Sequence, residues 1–228
     1  MRIVAHRTCP LDAAENSLAG IAAASRLGAD AVEIDVRRTL TGDVVLGHDT
    51  TYWRVARSPV PAFLTIAPWR RRLRLPDGTH PPTLTDVLAV LPDGLDLAID
   101  AKAAIAVAPA VAILAGAGLL GRAAWWVRRE RAVAEVARLA PACERALLAD
   151  AATTAAAVAY VQRAVECGAT AVSLHHRTVE RAVVDLAHRL GLTVYAWVTH
   201  ADAHEGVFAT GVDGVVTDWP ELARRLVG

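Results

Sequence analysis

Short segments rich in valine, isoleucine and leucine alternate with longer helix-like stretches along the whole chain. Several of the helical stretches end in glycine just before the next apolar segment, as at Gly28 and Gly168. Glycine adopts the left-handed conformation that ends a helix at little steric cost, so these positions indicate helix-to-strand joints. Eight strands alternating with helices in 228 residues are typical of an α/β protein built as a (β/α)8 barrel.

The predicted strands cover residues 3–7, 31–39, 96–102, 123–128, 145–150, 169–175, 193–199 and 213–218. The predicted helices include residues 17–27, 84–91, 131–139, 154–166, 179–190 and 221–227. An open doubly wound sheet is the structural alternative. It is disfavoured because it usually needs fewer strands and because no G-x-G-x-x-G motif follows the first strand.

One region interrupts the alternation. Residues 49–82 carry six prolines together with Trp53, Trp69 and the basic run from Arg70 to Arg74. A segment of this length is too short for a core of its own. We therefore expect a short irregular insertion, at about residues 50–81, within a single TIM-barrel domain that spans residues 1–228.

Composition excludes several classes of protein. The 24 basic and 24 acidic side chains balance. Proteins that bind nucleic acid usually carry an excess of basic residues, so the charge gives no reason to expect such a partner. Three scattered cysteines do not form a disulfide framework. The uncharged stretch 103–121 is alanine-rich and interrupted by Pro109, which favours a buried helix and a loop over a membrane span. With no secretion signal visible, we expect a cytoplasmic protein, whose oligomeric state the sequence leaves open.

Polar residues concentrate at the predicted C-terminal ends of the early strands, where (β/α)8 enzymes place their catalytic groups. These residues are His6, Arg7, Glu33, Asp35, His48, Asp100 and Lys102. Glu33 and Asp35 are two residues apart in a strand, so both side chains point to the same face. Three carboxylates buried together need a cation, and an all-oxygen site suits Mg²⁺ or Ca²⁺.

The remaining polar residues suit chemistry on an anionic, phosphoryl-type group. His6 and His48 are candidates for proton transfer near neutral pH. Arg7 and Lys102 supply positive charge, and Lys102 is the only lysine in the chain. Because lysine is a compact point charge and arginine a planar fork, this single use of lysine suggests a specific requirement.

Simpler structural interpretations exist for several of these residues. His6 could be a core histidine bonded to a backbone carbonyl. Glu33 and Asp35 could form ion pairs with Arg37 or Arg38, and Asp100 with Lys102 could be only a buried ion pair. The accumulation of these residues at one end of the predicted barrel favours an active site over these readings.

The ordered motifs resemble the glycerophosphodiester phosphodiesterase family. They are His6-Arg7, Glu15-Asn16-Ser17, residues 28–36, Gly42, His48-Asp49, Pro82-Thr83-Leu84, residues 99–102, Ala196-Trp197-Val198 and residues 211–220. They occur in family order over nearly the whole chain. The resemblance implies a (β/α)8 barrel that hydrolyses glycerophosphodiesters, as small-molecule substrates, to glycerol 3-phosphate and an alcohol with one divalent cation.

The resemblance also implies roles for individual residues. His6 and His48 match the family's acid/base pair, whereas Glu33, Asp35 and Asp100 match its metal ligands. Arg7 and Lys102 match its phosphate-binding cations, and Glu15 and Trp197 match positions that usually line the active site. The chain departs from the family pattern at Thr8, Ala14 and Asp100, where the family commonly has Gly, Pro and Glu.

Three other functions remain as alternatives. Asp100 followed by Lys102 also looks like the sphingomyelinase D/phospholipase D branch, which cleaves lysophospholipids by attack of an internal hydroxyl and forms a cyclic phosphate. Lys102 could instead form a Schiff base in a lyase or aldolase. The departures from the family pattern are compatible with a barrel that binds a phosphodiester without turning it over.

Overall fold

The computed structural model describes residues 1–228 and contains eleven strands and ten α-helices. The strands are β1 (Arg2–Ala5), β2 (Ala31–Arg38), β3 (Val44–Leu46), β4 (Thr51–Tyr52), β5 (Ser58–Pro61), β6 (Asp96–Ala101), β7 (Ala123–Val127), β8 (Arg145–Ala149), β9 (Ala171–His175), β10 (Thr193–Val198) and β11 (Gly214–Thr217). The helices are α1 (Leu18–Arg26), α2 (Trp53–Ala56), α3 (Ala67–Arg70), α4 (Leu84–Val90), α5 (Val107–Gly116), α6 (Glu130–Leu139), α7 (Thr154–Glu166), α8 (Arg181–Arg189), α9 (His204–Ala209) and α10 (Pro220–Val227).

Eight of the strands form a closed parallel barrel. Their order is β1, β2, β6, β7, β8, β9, β10 and β11, and β11 pairs with β1 to close the ring. Each barrel strand is followed by a helix that covers it before the next barrel strand begins. The predicted (β/α)8 architecture is confirmed, and the open doubly wound sheet is wrong.

Helix boundaries follow local capping chemistry. Ser17 begins α1 by accepting a hydrogen bond from the Gly20 amide at 3.1 Å. Gly28 follows the same helix with φ of +79°, which only glycine adopts without strain. Thr83 and Asp86 form a reciprocal capping box at the start of α4, so the regular alternation resumes there after the insertion.

The buried core has two layers, and successive side chains of β7 point alternately into one layer and the other. Trp125 faces outward, into a cluster of 51 buried residues between the barrel and its helices. Trp126 faces inward, where it packs with Tyr195 and a ring of mostly alanine side chains. Fully burying a large apolar side chain stabilises the fold by about 1.5–3 kcal/mol, so these layers supply the main stabilisation.

A short hairpin brings the insertion and His48 to the end of β2. Residues 36–38 of β2 pair antiparallel with β3, and the chain turns at Gly42. The insertion then contains the two-stranded sheet β4–β5 and the single-turn helices α2 and α3, so it is more regular than predicted. The Tyr52 hydroxyl donates to the Leu46 carbonyl at 2.7 Å and ties it to β3.

The uncharged stretch 103–121 forms α5 and two short flanking turns, in agreement with the predicted buried helix and loop. Val107, Ala110 and Leu114 of this helix are fully buried against the barrel. None of the helices in the protein combines the length and apolar character that crossing a membrane requires.

Candidate active site

The turn after β1 has an unusual backbone conformation and carries two of the predicted site residues, His6 and Arg7. Arg7, Thr8 and Cys9 are consecutive residues with φ of 43°, 61° and 59°, a left-handed region that residues other than glycine rarely adopt. Such strained segments cluster at functional sites, where the surrounding structure holds them in place. The Thr8 hydroxyl accepts a hydrogen bond from the Ser17 amide at 3.1 Å. The Arg7 amide, in turn, donates to the Glu33 carboxylate at 2.8 Å.

Three carboxylates converge at the C-terminal ends of β2 and β6. Asp35 lies directly opposite Asp100 in the parallel pairing of these strands. One carboxylate oxygen from each of Glu33, Asp35 and Asp100 lies within 4.8 Å of the other two. Their residues are only 4%, 1% and 3% exposed, and Asp100 Oδ1 has no hydrogen-bond partner. The convergence predicted from the sequence is therefore present.

Burial and mutual repulsion perturb these acids in different directions. Burial, reinforced by the Asp35 charge, raises the pKa of Glu33 well above its usual value. Burial also raises the pKa of Asp100. Burial acts on Asp35 in the same sense, but Lys102 and Arg7 outweigh it and lower the pKa of Asp35 to about 2. Burial and mutual repulsion thus disfavour the ionised forms of Glu33 and Asp100.

Two cations border the acidic cluster. Lys102 Nζ lies 2.6 Å from Asp35 Oδ1 and also contacts Asp100 Oδ2. Burial favours the neutral amine, but the Asp35 and Asp100 charges prevail and raise the pKa of Lys102. Arg7 Nε lies 3.6 Å from Asp35 Oδ2 and is buried without a hydrogen-bond partner. Arg37 and Arg38, the alternative partners of Glu33 and Asp35, make no ion pair with them.

Asn16 holds Asp35 in place, a contact that sequence analysis did not anticipate. Its side-chain amide donates to Asp35 Oδ2 at 2.7 Å, and its carbonyl oxygen accepts from the Asp35 backbone amide at 2.9 Å. Asn16 has φ of 55°, and asparagine tolerates this conformation better than most residues. The Glu15-Asn16-Ser17 motif was the only sequence signal for this role.

Each histidine of the site is held by a carboxylate. His6 Nδ1 and Asp218 Oδ1 are 2.7 Å apart, and so are His48 Nδ1 and Asp49 Oδ1. A hydrogen bond at Nδ1 fixes the ring and leaves Nε2 to exchange a proton. Asp218 lies in the motif of residues 211–220, and nothing in the sequence indicated its contact with His6. Burial lowers the pKa of His48 despite the nearby carboxylates.

A cavity opens at this end of the barrel. It is lined by His6, Arg7, Glu33, Asp35, His48, Asp100, Lys102, Trp126, Arg128, Leu148, Ala149, Ser173, Trp197 and Val216. Eight of the nine sequence-predicted site residues are in this lining. The ninth, Glu15, lies beside the cavity, where it contacts Arg7 at 3.5 Å. Trp126, which packs inside the barrel, also lines the cavity.

Trp197 forms an aromatic wall next to His6. The two ring centres are 5.7 Å apart, and His175 meets Trp197 edge-on at 5.3 Å. A flat apolar surface beside charged groups suits a ligand with both apolar and anionic parts. The exposed Trp53 and Trp69 of the insertion do not line the cavity.

Glu15 belongs to a chain of ion pairs that continues into the insertion. Arg54 on α2 donates to both carboxylate oxygens of Glu15, at 2.6 and 2.7 Å. The same guanidinium donates from Nε to Asp49 Oδ2 at 2.9 Å. Arg54 therefore connects two residues of the cavity. It reaches Arg7 through Glu15 and His48 through Asp49.

Taken together, the cavity offers a buried acidic cluster that could hold a metal ion, two oriented imidazoles and two cations. Groups of these kinds are the ones that phosphoryl chemistry uses for binding an anion and for moving protons.

Comparison with known proteins agrees with this chemistry. The sequence model of the glycerophosphoryl diester phosphodiesterase family matches residues 6–113 and 128–222, which include all nine predicted site residues. A curated relative from Mycobacterium tuberculosis, named "Probable glycerophosphodiester phosphodiesterase 2", is 29% identical over 235 residues. That alignment covers 93% of this chain and 84% of the relative.

Solved structures with the same fold span the whole chain. A glycerophosphodiester phosphodiesterase from Parabacteroides distasonis has a TM-score of 0.86 and 23% identity, covering 99% of this chain and 96% of its own. A phosphodiesterase from Oleispira antarctica, solved in complex with the product sn-glycerol-3-phosphate, has a TM-score of 0.87 and 20% identity. That match covers 100% of this chain and 96% of the other. At these identities the likeness establishes the fold.

Proposed function

Because the chain belongs to the glycerophosphoryl diester phosphodiesterase family, we propose that it hydrolyses glycerophosphodiesters to glycerol 3-phosphate and an alcohol, using one divalent cation and two histidines. The observation that carries the proposal is the convergence of the three carboxylates with two carboxylate-held imidazoles around one cavity. The product complex of the Oleispira antarctica protein supports glycerol 3-phosphate as the product.

The acidic cluster fits a hard divalent ion. Glu33, Asp35 and Asp100 offer only oxygen atoms, which suits Mg²⁺ or Ca²⁺ better than softer metals. Asp100 Oδ1 is buried without a hydrogen-bond partner, and burial beside the Asp35 charge raises the pKa of Glu33, so the fully ionised cluster would carry uncompensated negative charge. A bound divalent ion would neutralise this charge and withdraw electron density from a phosphoryl oxygen.

The two cations bind the phosphate. Arg7 Nε is buried and has no hydrogen-bond partner within the chain, so it is available to a non-bridging phosphate oxygen. The raised pKa of Lys102 keeps its ammonium group charged, and this charge opposes the negative charge that builds up at phosphorus. A protonated lysine held between Asp35 and Asp100 does not favour the Schiff-base alternative.

The two histidines transfer the protons. One imidazole takes a proton from the water whose oxygen bonds to phosphorus, and the other protonates the alcohol oxygen as its bond to phosphorus breaks. The lowered pKa of His48 keeps its imidazole neutral at pH 7, which favours His48 as the acceptor. Asp49 and Asp218 keep the rings oriented for these transfers.

The test is a panel of glycerophosphodiesters and lysophospholipids, incubated with Mg²⁺ or Ca²⁺ and with EDTA, and followed by phosphorus NMR. We expect glycerol 3-phosphate from the glycerophosphodiesters, and we expect EDTA to abolish its formation. A cyclic phosphate product would instead support the sphingomyelinase D-like alternative. Binding without any product would support the non-catalytic alternative, and turnover unaffected by EDTA would contradict the proposed metal.

A further inference from the structure

An open groove adjoins the cavity on the side of β7 and β8. It is lined by Arg128, Arg129, Glu130, Arg131, Leu148, Asp150, Tyr160 and Arg163, and we call it the arginine groove. Two of these residues, Arg128 and Leu148, also line the catalytic cavity, so the groove borders the cavity directly. A substrate bound in the cavity can therefore extend into the groove.

The arginine groove carries more positive charge than the chain itself satisfies. Four arginines face two carboxylates, those of Glu130 and Asp150. Arg163 is occupied, because its Nε donates to Glu130 Oε1 at 2.8 Å and its guanidinium stacks on the Tyr160 ring at 5.1 Å. Arg128, Arg129 and Arg131 are exposed, and their guanidinium groups make no hydrogen bond or ion pair within the chain.

Strand geometry places Arg128 next to the reacting position. Trp126 lies directly opposite Asp100 in the pairing of β6 with β7, and its side chain faces the barrel interior. Arg128 follows two residues later and so continues the same face outward, beyond the acidic cluster. Arg129 and Arg131 lie farther out, at the start of α6.

We propose that the arginine groove binds a phosphate monoester on the alcohol portion of the substrate, so that the enzyme favours glycerophosphodiesters with phosphorylated headgroups. The inference rests on the proposed function and adds the headgroup class to it. Guanidinium groups bind phosphate through paired, charge-assisted hydrogen bonds, and partner-free arginines are available for them. A cationic or neutral headgroup would leave these arginines without a partner.

The test compares two substrates that differ by one phosphate, glycerophosphoinositol and glycerophosphoinositol 4-phosphate. We expect kcat/KM to be at least about tenfold higher for the phosphorylated substrate, since one hydrogen bond to a charged group contributes that much. In the double variant Arg129→Ala/Arg131→Ala we expect this preference to fall to within about twofold, mainly through a higher KM for the phosphorylated substrate.

The matched control removes two exposed arginines elsewhere, in the variant Arg138→Ala/Arg181→Ala. These residues lie on α6 and α8 outside the groove, so this variant should keep the full preference. Equal kcat/KM for both substrates, or a preference that survives in Arg129→Ala/Arg131→Ala, would overturn the inference and leave the proposed function intact. Hydrolysis of neither substrate, with Mg²⁺ or Ca²⁺ present, would overturn this inference, and the proposed function would be overturned as well only if the whole panel of glycerophosphodiesters gave no product.

Discussion

Single side chains in this protein act through the partners that hold them. His6 depends on Asp218, and His48 depends on Asp49, with both contacts at 2.7 Å. At the other end of the barrel, the Tyr195 hydroxyl donates to Glu144 at 3.1 Å, and Glu144 Oε1 has no hydrogen-bond partner. The two histidines lead to a prediction about catalysis, and Glu144 leads to a prediction about stability.

Replacing either histidine should remove a proton-transfer step. We expect His6→Ala and His48→Ala each to lower kcat by about 10²–10⁴-fold while the protein stays folded. The measurements are steady-state kinetics and a thermal melt followed by circular dichroism. His188→Ala is the control, because His188 pairs with Asp213 away from the cavity. Wild-type rates in either site variant would refute the assigned roles.

Glu144 should make stability depend on pH. Burial raises the pKa of Glu144 above its ordinary value of 4.5. Its contribution to the free energy of unfolding is therefore fully present below pH 4.5 and is lost as pH rises through the elevated pKa. Because glutamine does not ionise, we expect Glu144→Gln to gain stability over the native protein as pH rises from 4 to 7.

The measurement is urea unfolding of both proteins across that pH range. The exposed Glu166, which makes no ion pair, provides the control variant Glu166→Gln. The difference in the free energy of unfolding between Glu166→Gln and the native protein should change little with pH. If Glu144→Gln instead lost stability relative to the native protein as pH rises, the raised pKa of Glu144 would be contradicted.

At the scale of elements, the strained turn after β1 depends on a close approach by α1. A methyl group at Gly20 would lie 1.9 Å from the Thr8 carbonyl oxygen, so no larger residue fits there. The insertion reaches the site in a different way, through the ion pairs that Arg54 makes with Glu15 and Asp49. Each contact ties a peripheral element to a residue of the cavity.

Enlarging Gly20 should displace the turn that carries His6 and Arg7. We expect Gly20→Ala to lower the free energy of unfolding by about 1–3 kcal/mol, as overpacking does, and to lower kcat as well. Gly206→Ala is the matched control, because Gly206 lies in α9 with nothing within 4 Å of the added methyl. Calorimetry and kinetics of both variants provide the check, and a native-like Gly20→Ala would contradict the close approach.

Removing Arg54 should make the His48 ring less well oriented, although Arg54 contacts Asp49 and not His48 itself. We expect Arg54→Ala to lower kcat by about tenfold, because residues that orient a catalytic group contribute on this scale. Arg71→Ala, an exposed arginine of the same insertion that makes no ion pair, should keep native activity. A fall in stability without any fall in kcat would assign Arg54 a purely structural role.

The elements of the barrel could be predicted from the sequence because their signals are local. Strand segments are short apolar runs, and the spacing of Glu33 and Asp35 already fixes a common face. Their meeting with Asp100 followed from the rule that parallel strands end at one edge. The boundaries of most barrel strands were correct to within about two residues.

The partners of the histidines could not be predicted in the same way. Asp218 is 212 residues from His6, and only the closure of β11 onto β1 brings them together. Asn16 acts through a left-handed backbone that no periodicity reveals. Arg54 lies in an insertion without regular alternation, so its pairing with Glu15 and Asp49 depends on how that segment folds back.

The molecule as a whole contains one concentrated excess of negative charge, at the acidic cluster. A divalent ion that binds the folded state alone stabilises it by RT ln(1 + [L]/Kd), about 2.7 kcal/mol at a hundredfold excess over Kd. We expect Mg²⁺ or Ca²⁺ to raise the melting temperature and EDTA to reverse the rise.

Differential scanning calorimetry of the native protein and Glu33→Gln checks this expectation. Glu33→Gln should lose most of the metal-dependent rise, whereas Asp93→Asn, in an exposed loop, should keep it. A rise that is equal in all three proteins would place the ion elsewhere.

The pairing of β1 with β11 has a consequence for synthesis in the cell. Asp218 is translated 212 residues after His6, so the imidazole gains this partner only once β11 has been made. A polypeptide that ends before β11 would therefore lack the carboxylate that orients His6. Competence for turnover would then begin only when the ring of strands closes.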